Sequence, residues 1–123
     1  MADEITLTGR LQLVNGNLKV TRDLGSRSAD QTTARYVANV QDVGFAAHEA
    51  LDMGEVSTAG WAVFYNHDST NYVEIGIDDT GTFEAVIKLE AGEAAGPLRL
   101  ASSAPYAQAN TAAVDLEYVI LED

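Results

Sequence analysis

The chain contains no cysteine. That excludes a disulfide framework and thiolate chemistry, and leaves stability to packing alone. Histidine is nearly absent too, with only His48 and His67. This removes most zinc and copper sites, which draw on several imidazoles or thiolates. No apolar run approaches the roughly 20 residues of a membrane helix. The opening Met1-Ala2-Asp3-Glu4 is acidic, without the basic and apolar regions of a secretory signal, so none is expected. Bases are scarce: seven Lys and Arg against nineteen Asp and Glu give a net charge of -12. Such a surface repels nucleic acid and anionic lipid, so neither a nucleic acid nor a membrane is an expected partner.

What remains is the composition of a globular domain. Of 123 residues, 46% are hydrophobic and 21% charged, which fits one folded unit better than a disordered chain. The charge is uneven. Residues 1–35 hold five bases, Arg10, Lys19, Arg22, Arg27 and Arg35, against four acids. Residues 36–123 hold only Lys88 and Arg99 against fifteen acids. The ordinary reading is a solvated acidic surface that keeps the protein soluble. The functional reading is head-to-tail complementarity, in which the N-terminal third meets an acidic face of a neighbour.

Strand patterns dominate. Ile5 to Leu13 alternates apolar and polar, with Ile5, Leu7, Leu11 and Leu13 expected to face inward. Gly9 falls in an apolar slot and suggests a bulge or a close backbone approach. Asn15-Gly16 is a strong hairpin signal, and the type I′ turn it favours predicts a hairpin over 5–21. Residues 22–34 are polar and aperiodic, which predicts a loop, and its length suggests a contact loop. Arg35 to Val43 alternates again, with Tyr36, Ala38 and Val40 on one face. Phe45 to Met53, between Gly44 and Gly54, reads as a short edge strand or a loop with a turn of helix.

Gly60 to Asn66 is strongly apolar and predicts a central strand buried on both faces, with Trp61 and Tyr65 in the core. Asn71–Ile77 and Thr82–Leu89 read as strands separated by an Asp78-Asp79-Thr80-Gly81 turn. Short strands are expected at Leu98–Ala101 and within Tyr106–Asn110. Val114 to Leu121 closes the chain with Val114, Leu116 and Tyr118 on one face. The total is eight to ten short antiparallel strands in one β-sandwich domain spanning 1–123, jelly-roll-like or of related topology.

Chemical motifs are sparse. Asn66-His67-Asp68-Ser69 crowds polar groups into a turn, whereas a triad is assembled from distant segments, and no Gly-x-Ser-x-Gly elbow appears. Asp78-Asp79-Thr80-Gly81 lacks the spacing and the distal Glu of a calcium loop. Gly92 to Gly96 contains Glu93 and no helix follows, so it is no phosphate loop. No cofactor, no metal and no enzymatic activity are expected. Sugar binding is the alternative that the aromatics suggest, with Tyr72 and Tyr106 beside turns as the better-placed rings.

Three segments carry a resemblance. They are Gly60-Trp61-Ala62-Val63-Phe64-Tyr65-Asn66-His67-Asp68-Ser69-Thr70-Asn71-Tyr72-Val73-Glu74-Ile75-Gly76, Lys88-Leu89-Glu90-Ala91-Gly92-Glu93, and Ala107 to Asp123. Together they resemble small structural proteins from the virion modules of tailed bacteriophages. The resemblance implies a particle component located in the virion and assembled in the host cytoplasm. It supplies no active-site residues. Within that family the roles to consider are capsid decoration (cement) protein, head fibre and tail accessory. The expectation is a decoration protein on the outside of the head. Its partner would be the major capsid protein or another virion protein, and a homo-oligomer such as a trimer would suit a local three-fold axis. The expected interface residues are Arg10, Arg22, Arg27, Arg35 and Tyr72. A tail or fibre component and a free-standing carbohydrate-binding sandwich are the alternatives.

Overall fold

A computed structural model describes Asp3–Asp123. Every regular element among the described residues is a β-strand. The chain falls into two compact units, the first ending at Ala34 and the second running from Arg35 to Asp123.

The first unit holds β1 (Ile5–Leu7), β2 (Arg10–Asn15), β3 (Leu18–Asp23) and β4 (Arg27–Ala29). β2 and β3 form an antiparallel hairpin in which Asn15 pairs with Leu18. Gly16 and Asn17 are therefore the two loop residues, one position later than the Asn15-Gly16 turn expected. Gly16 takes a φ of 58° and Asn17 keeps a negative φ, the type II′ pattern with glycine first. The expected 5–21 hairpin is also interrupted. Ile5–Leu7 leaves it to pair with β4, Ile5 opposite Ala29 and Leu7 opposite Arg27. The 22–34 stretch thus contains a strand, three residues long and too short to show a period. The Leu24 N–H donates to the Gly9 carbonyl at 2.9 Å where the two ladders meet.

The second unit is a sandwich of eight strands: β5 (Tyr36–Val43), β6 (Glu49–Ala50), β7 (Ala59–Asn66), β8 (Val73–Asp79), β9 (Thr82–Leu89), β10 (Ala94–Arg99), β11 (Tyr106–Ala109) and β12 (Val114–Glu122). They form two antiparallel sheets, ordered β10-β7-β12-β5 and β6-β11-β8-β9. Counted within the unit, strands one, eight, three and six make one sheet and two, seven, four and five the other. This is the winding of a jelly roll. The Phe45–Met53 segment supplies only the edge strand β6.

The core lies between the sheets. Phe64, Val73, Val114, Leu116, Tyr118 and Ile120 are fully buried. They come from strands whose alternation sends every second residue inward. The Tyr118 hydroxyl donates to the Asp52 carbonyl at 2.7 Å and accepts from Asn39 Nδ2 at 3.1 Å. Burial raises its pKa above the usual phenol value.

The β8–β9 turn is the type I′ hairpin that the opening segment lacks. Asp79 pairs with Thr82, so Thr80 and Gly81 are the loop, at φ 53° and 91°. A β-branched residue is strained in that region. Thr80→Asn is expected to raise the unfolding free energy by about 1 kcal/mol, because asparagine tolerates positive φ. Urea titration measures this, and an unchanged or lowered midpoint would count against the assignment.

Candidate functional site

In the hairpin, cross-strand pairs share a face, and the register sorts its residues into two rows. Leu11 with Arg22, Leu13 with Val20 and Asn15 with Leu18 lie on one face. Arg10 with Asp23, Gln12 with Thr21 and Val14 with Lys19 lie on the other. The first face is apolar except for its ends, and every residue of both strands is exposed. Leu11 is 73% exposed and Leu18 58%. The inward orientation expected of Leu11 and Leu13 is therefore overturned. The alternation is real, but the apolar side is exposed.

The five expected interface residues are dispersed. Arg10 faces the polar side, 3.8 Å from Asp23. Arg22 stands on the apolar side, and its Nη1 donates to the Thr21 carbonyl at 2.9 Å. Arg27 donates from Nε to the Leu24 carbonyl at 2.8 Å. Arg35 begins the second unit and lies 3.9 Å from the buried Glu122. Tyr72 is half-buried, with Lys88 Nζ 4.2 Å from its ring centroid. One ring face is thus occupied, which disfavours it as a sugar-stacking platform.

In the second unit, the outer face of the β10-β7-β12-β5 sheet is a further apolar surface. The apolar run 60–66 predicts Trp61 and Tyr65 in the core. The structure turns them outward with Val63, because Ala62, Phe64 and Asn66 take the inward positions. β7 is therefore buried on one face only. Register puts Tyr65 beside Glu117 and Val63 beside Val119. On the next strand Val40 lies beside Glu117, Ala38 beside Val119 and Tyr36 beside Leu121. Tyr36 is 65% exposed and Val40 55%. At one end of this face Asp42 and Asp115 are direct cross-strand partners. At the other, Arg99 pairs with Trp61 and contacts the Asp123 carboxylate. The Trp61 indole N–H is buried with no partner among the described residues.

A separate apolar groove of about 420 Å³ opens in the same unit, lined by Ile75, Ile77, Val86, Ile87, Leu98 and Leu100 among others.

Both histidines are held by carboxylates. His48 Nε2 lies 2.6 Å from Asp78, its ring stacked on Phe83 at 5.4 Å. His67 Nε2 lies 2.5 Å from Glu117. Neither contacts a serine hydroxyl, and no group of three or more metal-ligating side chains assembles among the described residues.

Three carboxyls sit below their usual range. Asp68 is lowered by the N–H groups of Asn71 and Thr70. Asp78 is lowered mainly by its bond to His48. Glu122 is lowered by the Ser57 and Thr58 N–H groups, with Arg35 adding. A depressed folded pKa contributes stability above the unfolded value, about 4, and that contribution is lost as pH falls through the folded value. The urea midpoint is therefore expected to drop below about pH 4, and to drop less steeply in Glu122→Gln. A midpoint constant down to about pH 3 would contradict this assignment.

No protein-family model, curated protein or solved structure matched this chain in comparison.

Proposed function

We propose that the chain is a non-enzymatic structural protein of a tailed-phage virion, a decoration subunit that attaches to the outside of the head through its first unit. The observation that carries this reading is the segregation of charge between the two units, with an exposed amphipathic hairpin on the less acidic one. The first unit carries four bases and four acids, whereas Arg35–Asp123 carries three bases against fifteen acids. On the near-neutral unit stands a fully exposed amphipathic hairpin. A less acidic patch on an acidic body is where a shell can be approached. Many weak contacts then hold a lattice firmly through multivalency. The resemblance over residues 60–76, 88–93 and 107–123 points the same way. The jelly roll recurs among capsid and lectin domains, so fold alone does not decide between them.

Arg10 and Arg27 are the side chains assigned to the shell contact. Arg27→Glu replaces an exposed cation whose only described bond is to a neighbouring carbonyl, so the fold is expected to persist. Occupancy on shells that lack the native protein should fall at least tenfold. Undiminished occupancy, with an unchanged unfolding midpoint, would remove Arg27 from the interface.

A further inference from the structure

We propose that the hairpin of one copy docks on the outer face of the β10-β7-β12-β5 sheet of a second copy, making a head-to-tail contact. Both partners in this contact are pleated surfaces with apolar side chains on an outward face, the geometry of aligned sheet packing. On the sheet that face also carries Glu117, held by His67. Their charges are complementary and their groups run in the same order. On the hairpin, Arg22 stands beside Leu11, then Leu13 and Val20, then Leu18 at the turn. On the sheet, the Asp42–Asp115 pair comes first, then Val40 with Glu117, then Ala38 with Val119. Successive rows are about 7 Å apart on both surfaces. Setting Arg22 over the aspartates therefore sets Leu13 and Val20 over the Val40 row.

Two observations favour a second copy as the occupant. Like charges directly opposite across strands are destabilising, and Asp42 faces Asp115 with no basic side chain at ion-pair distance from either carboxylate among the described residues. An incoming guanidinium relieves that repulsion. Among its described residues the first unit buries only Ile5 and Leu7 of its large apolar side chains. Segments this small depend on disulfides, metals or association, and no cysteine is present. The contact is heterologous and closes into a ring or propagates. A ribbon this short covers less than the about 1,200 Å² of a stable pair, so association is weak in solution and is strengthened by clustering.

The inference needs only the purified full chain and does not rest on the virion reading. Sedimentation velocity from about 10 μM to about 1 mM should show a coefficient that rises with concentration, less so in added salt. Leu13→Glu and Val40→Arg each change an exposed side chain, and each should weaken association at least tenfold with an unchanged unfolding midpoint. An equimolar mixture of the two variants should form dimers and nothing larger, since it contains one intact hairpin and one intact face. A wild type that stays monomeric throughout, or a mixture that stays monomeric, would overturn the proposal. So would wild-type association in either variant alone.

Discussion

Asn66→Ala should lower the unfolding free energy by about 3 kcal/mol, because several buried polar groups lose partners at once. Asn66 is 2% exposed at the end of β7. Its Nδ2 donates to the Asn71 carbonyl at 3.0 Å and to the Leu89 and Glu90 carbonyls, each at 3.1 Å. Its Oδ1 accepts from the Asp68 N–H at 2.8 Å. One side chain thus fastens the β7–β8 connection to the end of β9, and the Asn66 N–H adds a 2.8 Å bond to the Glu93 carbonyl. Alanine would leave buried carbonyls facing a void that water enters at a cost. For a unit of this size the loss corresponds to a melting temperature lower by roughly 12–20 °C. Asn66→Asp should be no milder, since it sets a carboxylate oxygen against three carbonyls. A loss under about 1 kcal/mol in Asn66→Ala would show that the loops hold without it.

Gly76→Ala should be nearly as damaging, for a steric reason. The β8–β9 register shifts between Ile75 and Gly76, leaving Val86 as the extra residue of a bulge. The bulge brings the β9 backbone onto Gly76. A Cβ there would lie 1.9 Å from the Glu84 oxygen and 2.9 Å from the Ala85 Cα. Both are backbone atoms, so no side-chain rotation relieves the clash. Overpacking of this kind costs about 2–3 kcal/mol, through displacement of β9. Gly44→Ala is the control, because its added methyl meets nothing within 4 Å. Equal unfolding midpoints for the two variants would refute the steric account.

The sandwich was legible because burial by a partner sheet leaves a period. Val114, Leu116 and Tyr118 alternate in the sequence, and all three are fully buried. Leu11 and Leu13 alternate just as cleanly and are exposed. Alternation reports a two-faced strand and is silent on whether a second layer covers it. Trp61 misled for a related reason. A β-branched and aromatic run looks doubly buried, yet the inward positions go to Ala62, Phe64 and Asn66.

Turn chemistry was legible in kind but not in register. The Asn15-Gly16 signal marked the hairpin, while pairing of Asn15 with Leu18 moved the loop by one residue. The type I′ turn instead uses Thr80, which composition disfavours. The exposed surfaces were half legible. The charge imbalance pointed to the first 35 residues, but the apolar side of the hairpin emerged only from its register. Partners brought together by tertiary pairing, such as Asp42 with Asp115, leave no local signal.

Decoration of a phage head is the function proposed for this chain. Its most direct test is copy number per particle. Virions carrying the gene would be purified and this chain quantified against the major capsid protein. Decoration predicts hundreds of copies, commensurate with the head lattice. A few to a few dozen copies would move the chain to the tail, a vertex or a fibre and contradict decoration. Absence from the particles would contradict the virion assignment altogether.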